Sequence, residues 1–175
     1  DMSLTGSLGR LFTDASRNLA DWNRKSIAQH RVSIGLTCFG HRSGQAVIAQ
    51  AGPSIAFHCH AGQVTPYYPT GDSAEAISGS GPASPQLTRI DFAPGDRLLL
   101  VSTATLSDVD DELIAGILQL PPDQILPDMY RRVQHLRHIT VVLVTAPGGE
   151  AAYPAEENGS IVIDATAPAP PPEAT

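Results

Sequence analysis

Residues 88–118 read TRIDFAPGDRLLLVSTATLSDVDDELIAGIL, and four local signals follow one another there in an order that constrains the topology. Ile90 and Phe92 alternate with Arg89 and Asp91, the period-two pattern of a half-buried strand. Pro94-Gly95-Asp96 supplies turn chemistry, so a hairpin is expected next. Leu98, Leu99, Leu100 and Val101 form a continuous apolar run, the mark of a strand covered on both faces. Asp108, Asp110, Asp111 and Glu112 then put negative charge where the positive end of a helix dipole would stand, which predicts an amphipathic helix over about 110–118.

Composition bounds what this segment belongs to. A chain of 175 residues with 42% hydrophobic content can bury about 70% of the surface its unfolded form exposes, enough for one core without staples. The net charge of -7, with Lys25 as the single lysine, argues against the clustered basic face of a nucleic-acid binder. No apolar run approaches the roughly 20 residues of a membrane span, and no basic region followed by an apolar signal core opens the chain. A soluble, cytoplasmic protein is expected. Cys38 and Cys59 stand in neither a C-x-x-C nor a zinc-finger spacing and read as reduced core residues. Asn158-Gly159-Ser160 matches a glycosylation sequon but is first of all a turn signal.

On the amino-terminal side, Leu4, Leu8, Leu11, Ala15, Leu19 and Trp22 recur at helical spacing with charged residues between them, one apolar stripe on a long helix. Strands are expected at about 32–39, from 46, at 54–60 and at 63–67, with turns at 40–44, Gly52-Pro53 and Ala61-Gly62, together a four-stranded antiparallel meander. Residues 69–85, rich in Gly, Ser, Ala and Pro, are expected to form an exposed, mobile loop, more an insertion than a binding element. Downstream, Pro121-Pro122 restarts a helix that reaches about Leu136, and 139–144 is another buried strand. A short strand at 161–163 and an Ala/Pro tail at 165–175 complete the reading. The chain is thus divided into one domain, 1–164, and a tail or linker, and its start at Asp1 suits a segment of a longer polypeptide.

Residues 94–102, PGDRLLLVS, resemble a segment of the metal-dependent protein serine/threonine phosphatases of the PPM type, where such a strand ends in S-D-G. Three further blocks fall in the same order: 47–57, VIAQAGPSIAF, resembles the strand carrying G-D-S; 61–67 resembles the hairpin after it; 137–144, RHITVVLV, is similar to the segment opening D-N-I-T. The resemblance runs from about Leu4 to Val144, with Ser33-Ile34-Gly35 where the family has G-T-T. It implies an α+β fold, a β-sandwich of mostly antiparallel strands flanked by helices, here without the family's amino-terminal strands. In that family two divalent metal ions held by aspartates activate water against phosphoserine or phosphothreonine, and hard cations require such oxygen ligands.

Carried over position by position, the resemblance puts Pro53 at the G-D-S aspartate, Thr103 at the S-D-G aspartate, Arg137 at the D-N-I-T aspartate and His138 at its asparagine. The family's R-x-x-N-E-D and D-G-x-G-G segments have no counterpart and would precede Asp1. These losses are physically consistent, because carboxylates about 4 Å apart repel by roughly 4 kcal/mol per pair at an effective dielectric near 20 unless metal offsets it. Thr103 and Pro53 are neutral and Arg137 is cationic, so the vestigial cleft is expected to hold no metal and no catalytic residue.

The reading that follows is a catalytically inactive, pseudophosphatase domain that binds a protein partner or further domains of its own polypeptide, and takes no cofactor. An active phosphatase using Mg or Mn, with ligands from upstream sequence or a second chain, stands as the first alternative. A structural module forming homo-oligomers is the second, since a sandwich short of strands exposes edges. At the cleft, Arg137, His138 and Thr103 either hold a phosphate or carboxylate or merely solvate the old site. His58 and His60 are a weak metal candidate: residues two apart share a strand face and imidazole binds zinc, but the pair gives two ligands, and solvent-facing residues beside the turn are the plainer reading.

Overall fold

The computed structural model describes residues 3–137 and 139–146; the expected strand at 161–163, the tail, the Asn158 sequon and His138 lie outside the described residues. In chain order the elements are α1 (Leu4–Lys25), β1 (Leu36–Arg42), β2 (Gln45–Ala51), β3 (Ser54–His60), β4 (Gln63–Tyr67), β5 (Gln86–Ile90), β6 (Arg97–Ser102), α2 (Asp111–Ile117), α3 (Pro122–Val133) and β7 (Val141–Thr145). They make two antiparallel sheets, a three-stranded one in the order β1-β2-β5 and a four-stranded one in the order β4-β3-β6-β7.

Strand periodicity sorts the side chains into layers. Val47, Ala49 and Ala51 of β2 meet Leu8 and Phe12 of α1. Ile48 of β2, with Ala56, Leu98 and Leu100 of the other sheet, forms the layer between the sheets. Ile55, Phe57, Leu99 and Val101 turn outward and are covered by Ile114, Ile117, Ile125, Met129 and Val133 of α2 and α3. The result is the expected α+β sandwich, helix on sheet on sheet on helix. Its helices begin where the sequence offers caps: Ser3 Oγ accepts from Gly6 N at 3.1 Å, Asp110 Oδ1 accepts from Leu113 N at 2.8 Å, and Pro122 opens α3.

Four expectations are corrected. The Pro94-Gly95 turn is not a hairpin, because β5 pairs with β2 while β6 pairs with β3 and β7, and the turn carries the chain from one sheet to the other. The meander likewise divides at Gly52-Pro53 into two hairpins, one in each sheet. The reason is burial: every residue from Ala46 to Ala51 is buried, so β2 needs a layer on both faces that a single sheet cannot supply.

The inward face of α1 is Leu4, Leu8, Phe12, Ser16 and Leu19, with Phe12 fully buried while Leu11 is 48% and Trp22 64% exposed. Polar residues on that face misled the pattern. Ser16 Oγ donates to Gly81 O at 2.8 Å, and Asn23 Nδ2 donates to Ser78 O at 2.7 Å and Val32 O at 2.8 Å. These bonds overturn the fourth expectation, since residues 69–85 are docked on α1: Ile77 is buried and exchanges two 2.9 Å backbone bonds with Ile34.

Candidate functional site

The sandwich has two ends, and β3 and β6 run between them. At one end their register pairs Ser54 with Ser102, which brings Pro53 and Thr103 to the same edge. Ser102 N donates to Thr140 O at 3.2 Å, adding the lead-in to β7. A cavity of about 190 Å³ lies here, lined by Gly35, Thr37, Pro53, Ser102 and Thr140 among others. A Cβ on Gly35 would stand 2.7 Å from Pro53 O, so the segment before β1 presses directly on the residue matched to a metal ligand. Thr103 is exposed and opens a short 3-10 turn, Thr103–Ser107. Arg137 is exposed, and neither it nor Thr103 lines the cavity. Among the described matched residues, Pro53 is the one that does.

Among the described residues, no lining residue is a carboxylate. Two of them, Thr37 and Ser102, carry buried hydroxyl oxygens with no protein partner, polar groups suited to ordered water or a small neutral ligand. Hydroxyl and carbonyl dipoles at this end supply none of the negative charge that a pair of divalent ions requires.

The other end holds a charged cluster. His58 and His60 lie on the inner face of β3, and continuing the β3–β6 register one step past Cys59↔Arg97 sets Asp96 opposite His60. His58 Nε2 is 3.1 Å from Asp96 Oδ2, and His60 Nδ1 is 2.9 Å from Oδ2 and 3.0 Å from Oδ1. With the carboxylate ionised, both rings donate. His58 is 5% and Asp96 3% exposed, whereas His60 faces solvent. The solvent-facing reading of the two histidines therefore holds for His60 and fails for His58, which lies beneath Phe92 with ring centroids 5.8 Å apart. Burial pushes the Asp96 carboxyl up, but the N–H of Ala93 and the two imidazoles outweigh it and hold it below the usual carboxylate range. The hydrogen bond to Asp96, then its charge, raises His60.

Asp96 escaped the sequence reading because it stands 38 residues from His58 and was spent on turn chemistry. The available signal was parity, once β3 and β6 are known to be neighbours. Elsewhere a larger groove of about 550 Å³ runs along the end of α1, with Arg24, Arg31 and Ser78 on its walls; Arg24 is already paired with Asp21.

No protein-family model matches the sequence, and no curated protein matches it. Solved structures do. The catalytic domain of the serine threonine protein phosphatase PstP, in complex with 2 manganese ions, aligns at a TM-score of 0.67 and 19% identity over 81% of this chain and 71% of that one. The serine/threonine phosphatase Stp1 from Staphylococcus aureus aligns at 0.65 and 16% identity, over 83% and 68% of the two chains. PppA, a key regulatory component of T6SS in Pseudomonas aeruginosa, aligns at 0.63 and 18% identity, over 81% and 67%. The fold is that of the PPM-type phosphatases, as the sequence resemblance implied. The described residues that line the cleft cavity of this chain include no carboxylate, so by themselves they do not fit a pair of divalent ions. Among the described residues, the one group of three or more His, Cys, Asp and Glu donors close enough to share an ion is His58, His60 and Asp96. No described helix is long and apolar enough to cross a membrane.

Proposed function

We propose that this chain is a PPM-phosphatase-like domain that no longer hydrolyses phosphoesters and works by binding, as a regulatory pseudophosphatase toward a protein partner or other domains of its own polypeptide. The observation that carries this reading is the cavity at the ends of β3 and β6, whose described lining includes no carboxylate, with Pro53 on its wall and Thr103 at the same edge of the sandwich. Two-metal hydrolysis needs anionic ligands to bind the ions, lower the pKa of a water and clamp the transferred phosphoryl group. Hydroxyls at Thr37, Ser102 and Thr103 do none of this. Arg137 adds an exposed positive charge three residues before Thr140, which lines that cavity, and acts as a solvated surface cation rather than as an anion site. Two free cysteines fit a reducing, cytoplasmic setting.

The test is turnover of phosphoserine and phosphothreonine peptides with Mn2+ or Mg2+ added, by this chain and by the chain with its natural flanking sequence. The expected rate equals that of metal and peptide alone. A Mn2+-dependent rate that EDTA removes overturns the reading. A phosphopeptide titration closes the anion question: affinity that falls on Arg137→Ala overturns the solvating role given to that side chain.

A further inference from the structure

We propose that His58, His60 and Asp96 form a binding site for one borderline transition-metal ion, with Zn2+ as the reference ligand, at the end of the sandwich opposite the cleft. The donor atoms, one from each residue, all lie within 4.8 Å of one another. Tetrahedral zinc with bonds of about 2.0–2.1 Å sets neighbouring donors roughly 3.3 Å apart. The observed separations of 3.1 Å and 2.9 Å from Asp96 Oδ2 therefore need to open by only a few tenths of an ångström. On binding, the N–H at each ligating nitrogen is given up, its proton passing to the other ring nitrogen of a neutral imidazole or to solvent from a protonated one, while the carboxylate stays ionised and three coordinate bonds form.

The ligands are held before any ion arrives. Asp96 is fixed on both sides of its backbone, its N–H donating to Ala93 O at 3.0 Å and its carbonyl accepting from Ala146 N at 3.0 Å. Ala93 N also donates to Asp96 Oδ2 at 2.9 Å, which orients the carboxylate in the way that outer hydrogen bonds orient metal ligands. His58 is locked between the sheets, and His60, half-exposed at the mouth, leaves an entry path. A carboxylate this buried requires compensating charge, and its ion-pair partners among the described residues are the two imidazoles alone. A divalent ion between the three groups meets that requirement directly.

Two nitrogens and one oxygen select zinc, cobalt or nickel over magnesium or manganese, which prefer oxygen sets. Three protein ligands leave a fourth position for water. This site is independent of the silence of the cleft and stands whether or not that reading survives.

The experiment is isothermal titration of EDTA-stripped protein with ZnCl2, alongside MgCl2 and MnCl2. One Zn2+ per chain in the micromolar range or tighter, with no comparable Mg2+ heat, is expected. His60→Ala alters an exposed side chain and is expected to fold normally yet bind Zn2+ at least about tenfold more weakly. Asp96→Asn should abolish the rise in melting temperature that Zn2+ gives the parent. His135→Ala, which removes the other described His–Asp pair, with Asp108, should leave Zn2+ affinity unchanged. Binding within twofold of the parent in His60→Ala, or lost in His135→Ala instead, overturns the assignment and leaves only scattered surface histidines.

Discussion

Gly79→Ala is expected to be among the most damaging conservative changes on the surface of this protein. Gly79 has a φ of 78°, and an added Cβ would stand 2.4 Å from Ala20 N, 2.5 Å from Ala20 Cα and 2.9 Å from Ala20 Cβ. Two costs combine. A left-handed backbone costs a non-glycine residue about 1–2 kcal/mol, and forcing an atom against the rigid backbone of α1 costs about 1–3 kcal/mol. Together they reach about 2–5 kcal/mol, and at about 2–4 °C per kcal/mol for a domain of this size the melting temperature should fall by roughly 4–20 °C. The loop can escape part of this cost by lifting off α1. It then loses the Ser16–Gly81 and Asn23–Ser78 bonds and becomes a protease site. The assay is a thermal melt followed by circular dichroism, paired with timed proteinase K digestion. Gly81→Ala is the control, since its Cβ would meet nothing within 4 Å and its backbone is not left-handed. If Gly79→Ala melts within about 2 °C of the parent and digests no faster than Gly81→Ala, the docking of this loop on α1 is wrong.

Other outcomes follow from the same contacts. Phe12→Ala should cost about 3–5 kcal/mol in a urea titration while Leu11→Ala costs less than about 1 kcal/mol, and equal costs would restore the helical stripe expected from the sequence. Asp110→Ala removes the cap on α2 and should lower stability by about 1 kcal/mol; no change in the urea midpoint would show that the cap is dispensable. Tyr68 is pushed up to about 12 by burial and by its hydrogen bond to, and the charge of, Asp111. A phenol whose pKa is higher folded than unfolded contributes stability that is intact below about pH 10 and lost as pH rises toward 12. Tyr68→Phe should flatten that alkaline decline in a series of melts, and an unchanged slope would count against the bond.

What could be read from the chain alone follows the range of the forces that set it. The run at Leu98–Val101, the Asp110 cap and the Ala61-Gly62 turn depend on residues a few positions apart, and each stands where its local chemistry puts it. Sheet membership does not. β2 chooses β5 over β3 because both its faces need cover, a fact fixed by α1 and by the opposite sheet rather than by Gly52-Pro53. The loop at 69–85 looked free because its anchors are backbone carbonyls at 78 and 81, invisible in composition, met by Ser16 and Asn23 on a helix face read only for apolar spacing. Family order was enough to bring Pro53 and Thr103 to one edge of the sandwich, whereas the partnership of Asp96 with His58 and His60 required the β3–β6 pairing.

β6 carries one further consequence. Asp96 and Ser102 sit at its opposite ends, six residues and roughly 20 Å apart at about 3.3 Å per residue. That span exceeds the screening length of about 8 Å at physiological ionic strength, and an antiparallel sheet has almost no net dipole to carry a field along it. Direct electrostatic coupling between the two ends is therefore weak, and free energies of substitutions or ligands at one should add to those at the other. Such a strand lets the residues at one pole of a fold change without altering the free energy of the charged cluster at the other.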